Sequence, residues 1–344
     1  MIIVMEPGAS REKIQAVVER VQSLGLGAHP VEGEERSIVG VVGTPLPPTL
    51  DEMLEVYPGV ERVVRITKKF KLSGWDFHPK KTIIKVLDFE IGGEELTLIA
   101  GPCSVESEEQ TISTAHAVKA AGAKALRGGA YKPRTSPYEF RGLGKRGLEI
   151  LAQARAETGL AIITEVMPPN DVEEVREYTD IFQIGARNSQ NYYLLEEVGK
   201  AGKPVMLKRG LSMTIEEWLL AAEYVLSQGN PDVMFCERGI RTYETQTRNT
   251  LDVAAVPVVQ KLSHLPILVD PSHASGKRPY VGALALAGVA AGADGLMIEV
   301  HPNPDHALSD GNQSLNFDEF AELTPRIAAV AQAVGRKLPI PTPV

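Results

Sequence analysis

Two cysteines in 344 residues cannot build a disulfide framework, which sets the chain apart from small stapled secreted domains. Long apolar runs are missing too. The longest stretch without a strongly polar residue, 281–293, is well short of the roughly 20 residues that a membrane span requires. There is no long Lys/Arg run, and 44 acidic against 36 basic side chains give a formal charge of −8. That balance speaks against general nucleic-acid or membrane-surface binding. The opening MIIVMEPG is too short for a signal peptide. These absences read as a reducing, cytoplasmic setting. What is present suits a folded protein: 43% hydrophobic and 23% charged residues argue against disorder, and the length allows about two domains with a proper core.

The first 70 or so residues alternate in short segments. Strand-like runs lie at 1–5, 28–31, 37–42 and 60–67. Ser10 reads as the cap of a helix whose spacing at Ile14, Val17, Val18 and Val21 carries it to residue 24, and Thr49 caps a second helix over 49–56. The order βαββαβ predicts a small ferredoxin-like domain over 1–74. A polar, Pro-containing connection and a hairpin turning at Gly92-Gly93 fill 75–95. From residue 96 to 344 strands near 96–103, 123–127, 161–166, 181–187, 204–208, 233–238, 266–270 and 295–300 alternate with helices, among them 108–121, 191–201, 214–226, 249–262, 281–291 and 317–334. Eight strand-helix pairs match a (β/α)8 barrel; an open doubly wound sheet is the structural alternative. Gly101-Pro102-Cys103 is not a dinucleotide-binding fingerprint.

In a barrel the strand C-termini build the active site. Here they carry Cys103, Arg127, Glu165, Arg187, Lys208 with Arg209, Glu237 with Arg238, Asp270 with His273, and Glu299 with His301. So many Arg and Lys at one end of an acidic protein predict a positive well for multiply charged anions, since guanidinium forks suit phosphate and carboxylate. The bland reading is a solvated rim whose charges pair with each other. The loop after the second strand, 128–137, puts Lys132, Pro133, Arg134 and Thr135 on a Pro-stiffened segment, which loses little entropy when it clamps an anion. Lys-Pro-Arg also occurs in ordinary surface loops.

Cys103, His273, Glu299 and Asp310 together offer one thiolate, one imidazole and two carboxylates. That set suits Mn, Fe, Co or Zn better than Mg or Ca. Taken singly, each has an ordinary structural reading as a buried thiol, a loop imidazole or a rim carboxylate. Cys236 reads as core, and Trp75 and Trp218 as packing anchors. His29, His78, His116 and His264 read as structural or solvent-facing. Glu165 and Glu237 either move protons or hold neighbouring cations, and spacing leaves both open.

The runs IAGPCSVES (99–107), LRGGAYKPRTSPY (126–138), QIGARNSQN (183–191), LKRG (207–210), ERGIRTYE (237–244), DPSHASG (270–276) and ALSDGNQSL (307–315) resemble, in order, 3-deoxy-D-arabino-heptulosonate 7-phosphate (DAHP) synthase. The resemblance is to its type I form with an N-terminal ferredoxin-like domain. It implies a metal-dependent barrel enzyme of the shikimate pathway that condenses phosphoenolpyruvate with erythrose 4-phosphate and water, releasing phosphate. By the same resemblance Cys103, His273, Glu299 and Asp310 correspond to metal ligands. Arg127, Lys132, Arg187, Lys208 and Arg238 correspond to the residues that hold phosphoenolpyruvate, and Lys132, Pro133, Arg134 and Thr135 to the segment that meets the aldose phosphate. Lys132, His273 and Cys103 are the implied catalytic set. Ser189 and Asn312 depart from relatives without touching any implied ligand.

A cousin enzyme, 3-deoxy-manno-octulosonate 8-phosphate synthase, shares the barrel and uses arabinose 5-phosphate, but its corresponding loop contains Asn where this chain has Lys132-Pro133-Arg134-Thr135. The four-carbon aldose is therefore the expected substrate. The first domain carries no evident catalytic residue; the resemblance implies a regulatory role with Tyr or Phe as effector, and support of a homo-oligomer, a tetramer favoured, is the competing reading. A non-catalytic anion or metal binder, and a metal-free aldolase using Lys208 or Lys132 as a Schiff-base nucleophile, remain as readings from other classes.

Overall fold

The computed structural model describes residues 1–31, 33, 36–43, 46, 49–64, 69–133, 136 and 138–339. They form two compact units, one of Met1–Lys80 with Leu262–His264 and the other of the remaining described chain.

The first unit is a four-stranded antiparallel sheet of β1 (Ile2–Met5), β2 (Gly27–Val31), β3 (Ile38–Val42) and β4 (Val60–Val64) in the order β2-β3-β1-β4. Alternation on the strands sends Met1, Ile3, Met5, Val39 and Val41 to one face. There they pack with Ile14, Val17, Val18 and Val21 of helix Arg11–Ser23, and with Leu50 and Leu54 of helix Leu50–Glu55. Ser10 has the extended backbone of a cap, but its side chain makes no bond to the helix N–H groups. The expected end of the fourth strand at 65–67 lies outside the described residues.

The second unit opens with a hairpin, β5 (Ile84–Val86) and β6 (Phe89–Ile91). It turns at Leu87 and Asp88, with Leu87 at φ 48, and not at Gly92-Gly93. Gly92 serves a different need: at φ 95, a Cβ there would lie 2.6 Å from the Thr82 carbonyl and 2.8 Å from the Pro266 ring.

Eight parallel strands then close a barrel: β7 (Thr97–Gly101), β8 (Ala125–Arg127), β9 (Ala161–Glu165), β10 (Ile181–Ile184), β11 (Val205–Lys208), β12 (Val233–Glu237), β13 (Ile267–Val269) and β14 (Gly295–Glu299), with β14 pairing back onto β7. The hairpin caps its N-terminal end. Ile84, Val86, Phe89 and Ile91 join Ile99, Ile163, Met206, Cys236 and Met297 in one apolar cluster, so that end is sealed and only the other is left to bind ligands. Cys236 is fully buried in this core.

The helix expected to begin at 249 begins instead at Ala255 and runs to Leu262. Thr250 pairs with Ile240 through two backbone hydrogen bonds of 2.9 Å, and Asp252 Oδ1 accepts the Ala255 N–H at 3.2 Å as the start signal. The segment freed from the helix lies at the barrel mouth. Among the described residues no helix is long and apolar enough to cross a membrane.

Candidate active site

Four chain segments deliver the donors. β7 ends at Gly101, φ 150, where a Cβ would overlap the Arg127 carbonyl; the close approach of β7 and β8 carries Cys103 into the mouth. β13 leads into Asp270, which caps the short helix Pro271–Ser275 and accepts the His273 N–H at 2.9 Å. β14 ends at Glu299, whose N–H donates to Ser272 Oγ at 3.0 Å. Asp310 sits in the following loop at φ 51, a left-handed conformation that Asp tolerates better than most residues.

These segments bring one donor atom from each of Cys103, His273, Glu299 and Asp310 within 4.8 Å of every other. Cys103 Sγ is 3.2 Å from Asp310 Oδ2, and His273 Nε2 is 3.4 Å from Glu299 Oε1. Asp270 Oδ2 accepts from His273 Nδ1 at 2.7 Å and from Lys208 Nζ at 2.6 Å. An ionised carboxylate only accepts, so the ring proton sits on Nδ1 and the Nε2 lone pair faces the cluster. Burial lowers the affinity of His273 for a second proton, against the pull of Asp270 and Glu299.

The charges of the cluster favour an added cation. Burial opposes ionisation of Asp310 and Glu299, but in the acid range where carboxyls titrate a protonated His273, with Arg248 and Lys132 at Asp310 and with Arg127 at Glu299, outweighs it, so both carboxyls lie below their ordinary values. Burial and then Glu299 push the Cys103 thiol up to about 12. Lys132 Nζ, 3.1 Å from the sulfur, offsets this only in part. A thiolate here needs a further positive charge, and the thiolate, imidazole and carboxylate donors fit a first-row divalent ion.

Beside the cluster lies a cavity of about 390 Å³. Seven cationic side chains line it, from Arg127, Lys132, Arg187, Lys208, Arg238, Arg241 and Arg248, against three carboxylates from Glu139, Glu165 and Asp310. Two of the cations have unmet hydrogen-bonding capacity. Arg127 Nη1 pairs with Glu299, but its Nε is buried with no partner. Arg238 is 7% exposed and makes no hydrogen bond or ion pair with any described residue. Burial pulls its guanidinium below its ordinary value, with Asp270 opposing and Arg248 and Arg187 adding to the effect. Guanidinium nitrogens in such a wall that find no protein partner are stable only beside an anion or water.

Residues 77–334 match the model of the DAHP synthetase I family, and residues 1–68 match that of the DAHP synthase ferredoxin-like domain. The chain belongs to the DAHP synthetase I family. It is an enzyme of that family. Among its relatives is the phospho-2-dehydro-3-deoxyheptonate aldolase of Thermotoga maritima, 50% identical over 98% of this chain and 100% of that protein. The crystal structure of DAHP synthase from the same organism superposes with a TM-score of 0.78 at 49% identity, covering 98% of each chain. A 2-dehydro-3-deoxyphosphooctonate aldolase of Syntrophobacter fumaroxidans is more distant, 31% identical over 73% of this chain and 92% of that protein.

In this DAHP synthetase I chain, Arg127, Lys132, Pro133, Arg187, Lys208 and Arg238 line one cavity, while Arg134 and Thr135 lie outside the described residues. Not every ion at a strand end faces the well. Arg209 and Glu237 pair with each other at 3.0 Å, Arg209 also reaches Asp252 at 2.8 Å, and neither lines the cavity. Strand parity explains this, since successive side chains alternate faces: Lys208 and Arg238 turn inward and their neighbours outward. Glu237 therefore holds Arg209. Glu165 stays on the cavity wall, bonded to Gln183 Nε2 at 3.2 Å. His301 pairs with Glu106 at 3.3 Å, also off the cavity.

Residues missed in the sequence include Asn249, placed at the start of a helix, Arg248 just before it, and Gln313 inside ALSDGNQSL. Arg241 sat in plain view inside ERGIRTYE. Asp270 was visible as a strand end, but only the 2.7 Å contact shows that it sets the His273 tautomer.

Proposed function

We propose that the chain condenses phosphoenolpyruvate with erythrose 4-phosphate and water to give DAHP and phosphate. The observation that carries this reading is the cation-lined cavity, with Arg238 and Arg127 Nε buried and unpaired, abutting the four-donor cluster. Two polyanionic substrates repel each other, so they need a surplus of fixed positive charge to meet. Arg127, Lys132, Arg187, Lys208 and Arg238 hold the carboxylate and phosphate of phosphoenolpyruvate. Lys132, Pro133, Arg134 and Thr135 meet the aldose phosphate.

Carbon 3 of the enol ester attacks the aldehyde carbon, water adds at carbon 2 and phosphate leaves. Cys103, His273, Glu299 and Asp310 would hold a divalent ion of the Mn, Fe, Co or Zn type, which when bound would supply Lewis acidity toward the aldehyde oxygen. Lys132, donating to the Cys103 carbonyl and sulfur, links the anion well to the donor cluster. With His273 and Cys103 it forms the set nearest the chemistry.

The assay is phosphate release from phosphoenolpyruvate with erythrose 4-phosphate or arabinose 5-phosphate, each with and without a chelator. Turnover is expected with the four-carbon aldose and is lost on chelation. Preference for arabinose 5-phosphate would move the chain to the octulosonate reaction, and turnover that survives chelation would remove the metal. The first unit is read as regulatory, with Tyr or Phe as effector, in a cytoplasmic homo-oligomer, a tetramer favoured.

A further inference from the structure

Each carboxylate of the donor cluster turns one oxygen inward and has the other held from behind. Glu299 Oε1 faces His273 Nε2 at 3.4 Å and also accepts from Arg127 Nη1, and Oε2 accepts from Gln313 Nε2 at 2.6 Å. Asp310 Oδ2 faces Cys103 Sγ at 3.2 Å, and Oδ1 accepts from Arg248 Nη1 at 3.3 Å. The same Arg248 nitrogen donates to Gln313 Oε1 at 3.2 Å. Gln313 and Arg248 thus form a strap across the outer oxygens of both carboxylates.

The side-chain chemistry of the strap is specific. A primary amide donates to a carboxylate with its nitrogen and accepts from a guanidinium with its oxygen. A carboxylate at 313 would set an anion against Glu299 Oε2, and an apolar side chain would free Glu299 Oε2 while leaving Arg127 on Oε1 and Arg248 on Asp310. Gln313 is 2% exposed and lies on the 3₁₀ turn Gly311–Gln313 that follows Asp310, so one short loop fixes a donor and its restraint together. A carboxylate free to swing can offer a cation both oxygens; one whose outer oxygen is occupied offers a single oxygen.

We propose that Gln313, tied to Arg248, is a positioning residue that keeps Glu299 and Asp310 as one-oxygen donors, so that a divalent cation in the cluster retains a free position for a substrate oxygen. This rests on the metal reading above, and the test separates the two. Co(II) alone is titrated, without substrates, into the wild type, Gln313→Leu and Arg248→Leu. The near-ultraviolet thiolate-to-cobalt band and the weaker visible ligand-field band are both followed. The wild type should develop both bands.

In the variants the thiolate band should persist, because Cys103 still binds. The visible band should weaken as the coordination number rises, and Co(II) affinity should fall about 10-fold or more. Arg248 is partly exposed, so its variant reports even if the buried Gln313 variant fails to fold. Visible band and affinity matching the wild type in the folded variants would overturn the strap. A wild type with no thiolate band would overturn the metal reading and the strap with it.

Discussion

Arg238 carries its charge in a wall where burial works against it and no described side chain pairs with it. In a protein selected for stability alone, such a cation would be replaced, because an unpaired buried charge costs several kcal/mol. On the proposed reading its worth lies in binding the anionic substrate. Arg238→Met keeps the aliphatic stem and removes the charge. The expected result is a melting temperature equal to or above that of the wild type, together with a rise of about 10-fold or more in the KM for phosphoenolpyruvate, the scale of one charge-assisted contact at about 1.5 to 3 kcal/mol. Added inorganic phosphate should raise the melting temperature of the wild type more than that of the variant. A variant that melts lower and binds phosphoenolpyruvate normally would make Arg238 a structural residue.

Elements, rather than single side chains, decide where the donors meet. Gly101 ends β7 at φ 150, and its missing Cβ is what allows the Arg127 carbonyl of β8 to approach. In Gly101→Ala both the dihedral and the contact turn unfavourable, so a loss of about 3 kcal/mol or more is expected in denaturant unfolding, with Cys103 displaced and Co(II) affinity reduced. Unchanged stability would mean that the strands can part without cost. The eight barrel strands were legible because each is a short apolar run ending in an ionisable residue, and the ferredoxin-like unit because its helix and strand periods switch cleanly. Less legible were features that depend on which way a side chain faces after a strand ends. Arg209 and Glu237 looked like part of the well until parity turned them outward. The hairpin turned at Leu87 rather than at the glycines, because Gly92 was reserved for its contact with Pro266. The strap through Gln313 and Arg248 joins two loops that have no period, and nothing in their spacing announces the contact.

At the scale of the whole molecule the two units differ in what they contribute. Every residue lining the cavity belongs to the barrel unit, while the first unit spends its apolar residues on a core of its own. A truncated form of the Thermotoga maritima DAHP synthase, 50% identical to this chain and covering 78% of it, has been solved with a TM-score of 0.73. A truncated form of that relative is therefore folded well enough to be solved. On the proposed reading the first unit, which brings no described side chain to the cavity, acts on access to it or on assembly. Removing residues 1–74 tests this while keeping Trp75 and His78 beside His264, whose rings lie 6.2 and 4.7 Å from it. His264 is buried and held at about 4 in the full chain, and the same cut removes the Leu72 carbonyl that its Nε2 meets at 2.8 Å, so both chains are compared above the ordinary imidazole range, where His264 is uncharged in either. The truncated chain should condense the substrates at a rate within a few fold of the full chain and ignore Tyr and Phe at concentrations that inhibit the full chain. A full chain indifferent to both amino acids would remove regulation, and a change in sedimentation on truncation would then assign the first unit to assembly.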